Sequence, residues 1–225
     1  MDFNNRVITT VDLFGFNIWI TEAHVATWII MAVLIVFAII CRIALTRFTV
    51  DKAPTGFQNV VELMVETFSN FADTTLGPMK QFGGWFFGVF IFVLASNFSG
   101  LFGLRPPTAD LSTALVISVV SFVLIQFTAF SRDPKGSFKG LFEPFPVFLP
   151  MNLIGEFSVI VSLAFRLFGN ILSGMIIVGI IYYLLPIWLS FGVPVVLHAY
   201  FDIFAGAIQA FIITMLSMAL INLKT

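Results

Sequence analysis

Residues 155–174 read GEFSVIVSLAFRLFGNILSG. Arg166 is the one charged side chain in this stretch beyond Glu156, and it decides what kind of protein this is. No other charge stands between Glu156 and Asp202. A guanidinium at mid-bilayer costs about 2.5–3.5 kcal/mol on insertion scales, so its direction matters. Gly155, Ser158, Ser162, Arg166, Gly169, Asn170 and Ser173 recur at the helical period and form one stripe of small and polar residues. Such a stripe lets a second backbone come close. Arg166 is therefore expected to face a partner or a water-filled cavity rather than lipid. The plainer alternative is a structural arginine paired with Glu156 or Asp202.

Composition sets the surroundings. Of 225 residues, 59% are hydrophobic and 10% charged, 29 are phenylalanine, and the mean hydropathy is +1.04. These values exclude an ordinary soluble domain. Eleven basic against 12 acidic residues, with no basic cluster, exclude nucleic acid as a partner. The single cysteine, Cys41, lies in an apolar stretch and forms no internal disulfide. There is no phosphate-binding glycine loop, no H-E-x-x-H and no paired-cysteine spacing, so no cofactor and no metal are expected.

The fold class predicted is an all-α integral membrane protein with five transmembrane helices and one amphipathic surface helix, the last two spans long and tilted. Residues 1–24 form a mixed external segment, with His24 at the mouth of the first span, 25–47. Within 54–76, Phe57, Val60, Val61, Met64, Phe68 and Phe71 fall at helical spacing opposite Gln58, Asn59, Glu62, Glu66 and Asp73. That pattern predicts an amphipathic helix opened by Pro54. Its acidic face opposes adhesion to anionic lipid and favours a protein partner. Spans two and three are expected at 85–104 and 111–131, separated by a turn with Pro106 and Pro107. Spans four and five are expected at 147–185 and 187–223, broken at Pro186 and Pro194. From Pro150 to Leu185 is about 54 Å at 1.5 Å per residue, and the next span is similar, against a hydrocarbon core of about 30 Å, so tilt or bending follows. Arg42, Arg47, Lys52, Lys80, Arg132, Lys135, Lys139 and Lys224 fall on one side, Arg6 and Arg105 on the other. The positive-inside rule then puts the N-terminus outside and the C-terminus in the cytoplasm.

A polar set accompanies the arginine. Asn170 follows it by one turn. His198, Asp202 and Gln209 stand within HAYFDIFAGAIQAF on the last span, and ideal helical spacing puts all three on one face. Together with Glu156, these residues read as an ion or proton route interrupted by a fixed positive charge.

FRLFGNILSG followed by HAYFDIFAGAIQAFIITML, with PMNLIGEFS before the arginine and SNFSGL then RPPTADLS between spans two and three, resembles subunit a of the bacterial F-type ATP synthase. The resemblance covers essentially the whole chain. It implies a stator subunit of the plasma membrane that is not catalytic by itself. The implied partners are the c-ring of the rotor, the b-subunit peripheral stalk and the rest of the complex. Two offset half-channels would carry H⁺ or Na⁺, with H⁺ the expected ion, to and from the ring carboxylates, and Arg166 would block the direct way between them. Asp202, His198 and Gln209 would serve the outer half-channel, Glu156 and Asn152 the cytoplasmic one, and Asn170 would help position the arginine. The common bacterial pattern has glutamate nine residues after the arginine and histidine seven before the glutamine; this chain has Met175 and Asp202 there. Two other readings use the same residues. One is a self-contained transporter or channel with Arg166 as an anion or counter-ion site, which the absence of internal repeats disfavours. The other is a hydrolase built on His198 and Asp202, which lacks a nearby nucleophile.

Overall fold

The computed structural model describes residues 7–13, 16–45, 56–132, 134–140, 142, 145–184 and 192–224. Several expected features fall outside them: the end of span one at 47, the opening Pro54 of the amphipathic helix, the break at Pro186 and the start of span five at 187. The charges Asp2, Arg6, Arg47, Lys52, Asp133 and Glu143 do so too.

An antiparallel hairpin opens the described chain, β1 (Val7–Leu13) paired with β2 (Phe16–Thr21). The sequence reading left this segment without regular structure, so the hairpin corrects it. Alternation of β-branched residues with Thr, Asp and Asn is the strand signal that was passed over. The first span, α1 (Glu22–Leu45), then starts three residues earlier than expected. Thr21 explains the start. Its hydroxyl lies 2.7 Å from His24 Nδ1, and Glu22 sits in the first turn, where the helix dipole favours a carboxylate.

The amphipathic helix α2 (Gly56–Leu76) is followed by the 3₁₀ turn Gly77–Phe82 and by α3 (Gly83–Phe98). A second 3₁₀ turn, Ser99–Phe102, closes on Gly103 at φ 72°, the left-handed conformation that glycine adopts without strain. Asp110 then accepts the backbone N–H of Ser112 at 3.3 Å and caps α4 (Leu111–Arg132). After the short α5 (Pro134–Gly140) comes α6 (Leu149–Leu184), 36 residues long. The last span has three parts: α7 (Val193–His198), a π-helical segment (Ala199–Ala205) and α8 (Gly206–Lys224). Five of these stretches are long and apolar enough to cross a membrane. α6 alone measures about 54 Å, so it cannot stand upright in a core of about 30 Å.

Two buried clusters hold the helices together. Ala72, Leu76, Phe86, Ile125, Met218 and Ile221 join α2, α3, α4 and α8 at one end of the bundle. Val93, Ala114, Leu163, Leu167, Ala210 and Ile213 join α3, α4, α6 and α8 near its middle. The second half of α2 is fastened by Phe68 against Phe87 (ring centroids 4.9 Å) and Phe71 against Phe211 (5.3 Å). Its first half leaves Phe57, Val60 and Met64 exposed. α1 shows most of its large apolar side chains to the outside, as a lipid-facing span does.

Candidate functional site

Arg166 lies near the middle of α6, and the helix divides cleanly around it. Leu163, Ala164, Leu167, Ile171, Gly174 and Val178 form the buried face. Gly155, Ser158, Ser162, Arg166 and Ser173 are exposed, with Gly169 and Asn170 half-buried beside them. The small-residue stripe thus turns away from this chain's own core. Nothing lies within 4 Å of a Cβ built on Gly155 or Gly169. The hydroxyls of Ser158 and Ser173 bond back to the carbonyls of Gly155 and Asn170, which keeps the surface smooth. Arg166 makes no ion pair among the described residues. The two carboxylates offered to it as structural partners are otherwise engaged: Glu156 accepts from Gln126 Nε2 of α4 at 3.1 Å, and Asp202 meets His198.

His198 Nδ1 and Asp202 Oδ2 are 2.7 Å apart, both half-buried, one turn apart on the last span. They face a cavity of about 760 Å³ at one end of the bundle. Its lining includes Glu22 at the start of α1, Arg105 between α3 and α4, and Met175 and Tyr182 of α6. The Tyr182 ring is 6.2 Å from that of His198. Glu22, Arg105, Tyr182 and, on the far side of Arg166, Gln126 were not singled out from sequence. Each was visible as a polar residue near a span end or within a span, but only the packing of four helices brings the first three together.

The antiparallel register of α6 and the last span gives the depths. A Cβ on Gly174 would lie 3.1 Å from Phe201 Cβ, and Leu163 and Leu167 pack with Ala210 and Ile213. Gln209 is therefore level with Arg166, while Asp202 lies about 12 Å away toward the cavity, judged from the rise between Arg166 and Gly174. Glu156 lies about 15 Å away in the opposite direction, with half-buried Asn152 one turn further. Polar groups thus flank the arginine on both sides along the axis of α6.

The expected common face of His198, Asp202 and Gln209 is corrected in one respect. Gln209 is buried and outside the cavity lining, with Nε2 lacking a partner. The π segment is the reason. An i→i+5 turn takes up one residue more than an α turn, and one residue is about 100° of rotation. Asp202 is turned into the cavity while Gln209 stays on the packed face of α8.

Residues 24–222 match the ATP synthase A chain family. The sodium-ion-specific ATP synthase subunit a of Propionigenium modestum is 32% identical over 241 aligned residues, covering 98% of this chain and 79% of the relative. The chloroplastic subunit a of Oedogonium cardiacum is 31% identical over 89% of this chain and 81% of its own. Subunit a of Moorella thermoacetica is 32% identical over 88% and 87% respectively. A match that takes in all five spans, and relatives that align with most of the chain and of themselves, leave one conclusion: this multi-pass membrane chain belongs to the ATP synthase A chain family.

Proposed function

We propose that this chain is the ion-translocating stator subunit of a rotary ATP synthase, non-catalytic by itself, with Arg166 as the barrier between two half-channels. The observation that carries this reading is the unpaired, exposed guanidinium in the middle of a membrane helix, set in a smooth stripe of small residues. A cation there needs a counter-charge, and the described residues of this chain offer none. A partner helix bearing a mid-membrane carboxylate supplies it, as the c-ring does. Near Arg166 that carboxylate is held ionised, because an adjacent cation lowers a carboxylate pKa by about 1–3 units. Away from it, facing lipid, the carboxylate must be neutral.

The cavity with His198, Asp202 and Met175 serves as the outer half-channel, with Glu22 and Arg105 at its mouth. Glu156, held by Gln126, and Asn152 serve the cytoplasmic one. Gln209, level with Arg166, and Asn170, one turn from it, order the water around the guanidinium. Because the two routes meet the ring at different depths, an ion passes from one to the other only by riding the ring. Arg166 closes the short path, and lysine is a poor substitute because it sheds its proton when desolvated. We take the ion to be H⁺, since the cavity presents an imidazole–carboxylate pair suited to proton relay rather than a cage of oxygens. The N-terminus then faces outside and the C-terminus the cytoplasm of a bacterial plasma membrane, with the b-subunit peripheral stalk holding the stator. A self-contained transporter would turn its charged site inward; the outward stripe speaks against one.

The test is ATP synthesis driven by an imposed proton gradient, in membranes carrying the assembled complex. Arg166→Ala and Arg166→Lys are both expected to abolish synthesis while assembly persists, and added Na⁺ is expected to leave the parent's rate unchanged. Normal synthesis by the lysine variant would remove the barrier role.

A further inference from the structure

We propose that Asn97 is a positioning residue for the His198–Asp202 pair: it holds the π segment of the last span in register and so sets which residues of that span face the cavity. Asn97 is wholly buried in α3. Its Nδ2 donates to the carbonyl of Gly206 at 2.9 Å, and its Oδ1 accepts the hydroxyl of Thr108, also wholly buried, at 3.0 Å. Both ends of the amide are thus occupied, and the donor end is spent on one backbone group of another helix.

That group belongs to the residue where the π segment ends. Gly206 opens α8, and its own N–H reaches back to Phe201 and Ile203. A π turn is rare and less well bonded than an α turn, so an extra residue held within a helix calls for an outside support. The contact is made at close quarters. A Cβ on Gly206 would lie 2.9 Å from Asn97 Cβ, a separation only glycine permits. Two further glycines complete the clamp. Gly100, on the turn that follows α3, would put a Cβ 3.3 Å from Asp202 Oδ2, and Gly174 of α6 would put one 3.1 Å from Phe201 Cβ. The segment carrying Asp202 is therefore gripped from α3, from α6 and from the turn beyond α3. Asn97 adds a side-chain bond from another helix at its closing residue.

Without that bond the segment is expected to relax to α-helix. With α8 fixed by its packing, each site upstream of Gly206 would then be taken by the next residue, a rotation of about 100°. Val195, His198 and Asp202 would leave the cavity, Ala199 would take the place of His198, and Val196 and Tyr200, now exposed on the outer side of the helix, would enter it. The consequence for transport rests on the half-channel reading above. The register shift does not.

The test is N-ethylmaleimide labelling of single cysteines at positions 195, 196, 200 and 202, in a Cys41→Ser background, in membranes carrying the assembled complex. With Asn97 intact, 195 and 202 are expected to react faster than 196 and 200. In Asn97→Leu the order should reverse, with the ratio of rates at 195 and 196 changing at least ~10-fold, about 1.4 kcal/mol. Asn97→Asp, matched in size but lacking the donor, should shift the same way and carries the test if the leucine variant does not assemble. Thr108→Val, which leaves the donor in place, should keep the parent pattern. An unchanged labelling order in the Asn97 variants overturns the proposal, even where transport is lost. A reversed order in variants that still translocate normally supports the brace and instead sinks the outer half-channel reading.

Discussion

Gly169 and Gly174 stand five residues apart on one helix, and replacing each by leucine asks directly whether the arginine stripe belongs to a partner. At Gly174 a Cβ already lies 3.1 Å from Phe201 Cβ and 3.2 Å from its Cγ and Cδ1. The remaining carbons of leucine have to displace the ring, which puts the cost at the upper end of overpacking, about 3 kcal/mol. The gain in helix propensity from glycine to leucine, about 0.8 kcal/mol, offsets part of it. The net loss is about 2 kcal/mol. At Gly169 nothing lies within 4 Å, so only the propensity term acts, and the chain gains about 0.8 kcal/mol. The two variants should thus differ by about 3 kcal/mol, which at about 2–4 °C per kcal/mol separates their melting points by about 6–12 °C. Function should run the other way. Leucine at 169, one turn from Arg166, holds a partner helix off the guanidinium, so ATP-driven proton pumping of the assembled complex is expected to collapse in the more stable of the two. Thermal melting of the purified chain in detergent and pumping in inverted vesicles provide the two readings. If Gly169→Leu melts as low as Gly174→Leu, the stripe is packed within this chain. If it melts high and pumps normally, the stripe meets nothing.

Met175 of α6 and Asp202 of the last span line one cavity, so Asp202→Asn should slow proton uptake severely and Met175→Glu should restore part of it. The interaction energy between the two changes is expected at about 0.5–3 kcal/mol, and a double variant that pumps no better than Asp202→Asn alone would show that the carboxylate works only from its own position. Cysteines at Ser162, Gly169 and Ser173 should cross-link to a membrane helix of the rotor ring. Cross-links formed from the buried Leu163 or Leu167 instead would mean that α6 is turned the other way.

The helices and the stripe were legible because both depend on local spacing. An apolar run bounded by charges gives a span, and a 3.6-residue period gives a face, whatever the rest of the chain does. Three features were not legible, for separate reasons. The hairpin at Val7–Leu13 and Phe16–Thr21 is short, and its signal was masked by scattered charges. The cavity needs α1, α3, α6 and the last span at once, so Glu22 and Arg105 had no reason to be grouped by sequence distance. The π segment is invisible to any argument that assumes 3.6 residues per turn. Its support, Asn97, is more than a hundred positions away, which is why ideal spacing put Gln209 on the face of Asp202.

A protein that buried this guanidinium for its own stability would surround it with acceptors, since an uncompensated charge in low dielectric is costly. This chain does the reverse. Its carboxylates on either side are held elsewhere, Glu156 by Gln126 and Asp202 by His198, and the nearest serine hydroxyls are tied to their own helix. Each of these bonds removes a local partner from Arg166 and leaves its charge directed outward. The core beneath it, Leu163, Ala164 and Leu167, is apolar and closely packed, so the arginine side chain cannot retreat. A cation held at the surface of a rigid helix, with the nearby described carboxylates engaged elsewhere, calls for an opposite charge from outside. That requirement, more than any single contact, is why the outward face of α6 reads as half of an interface.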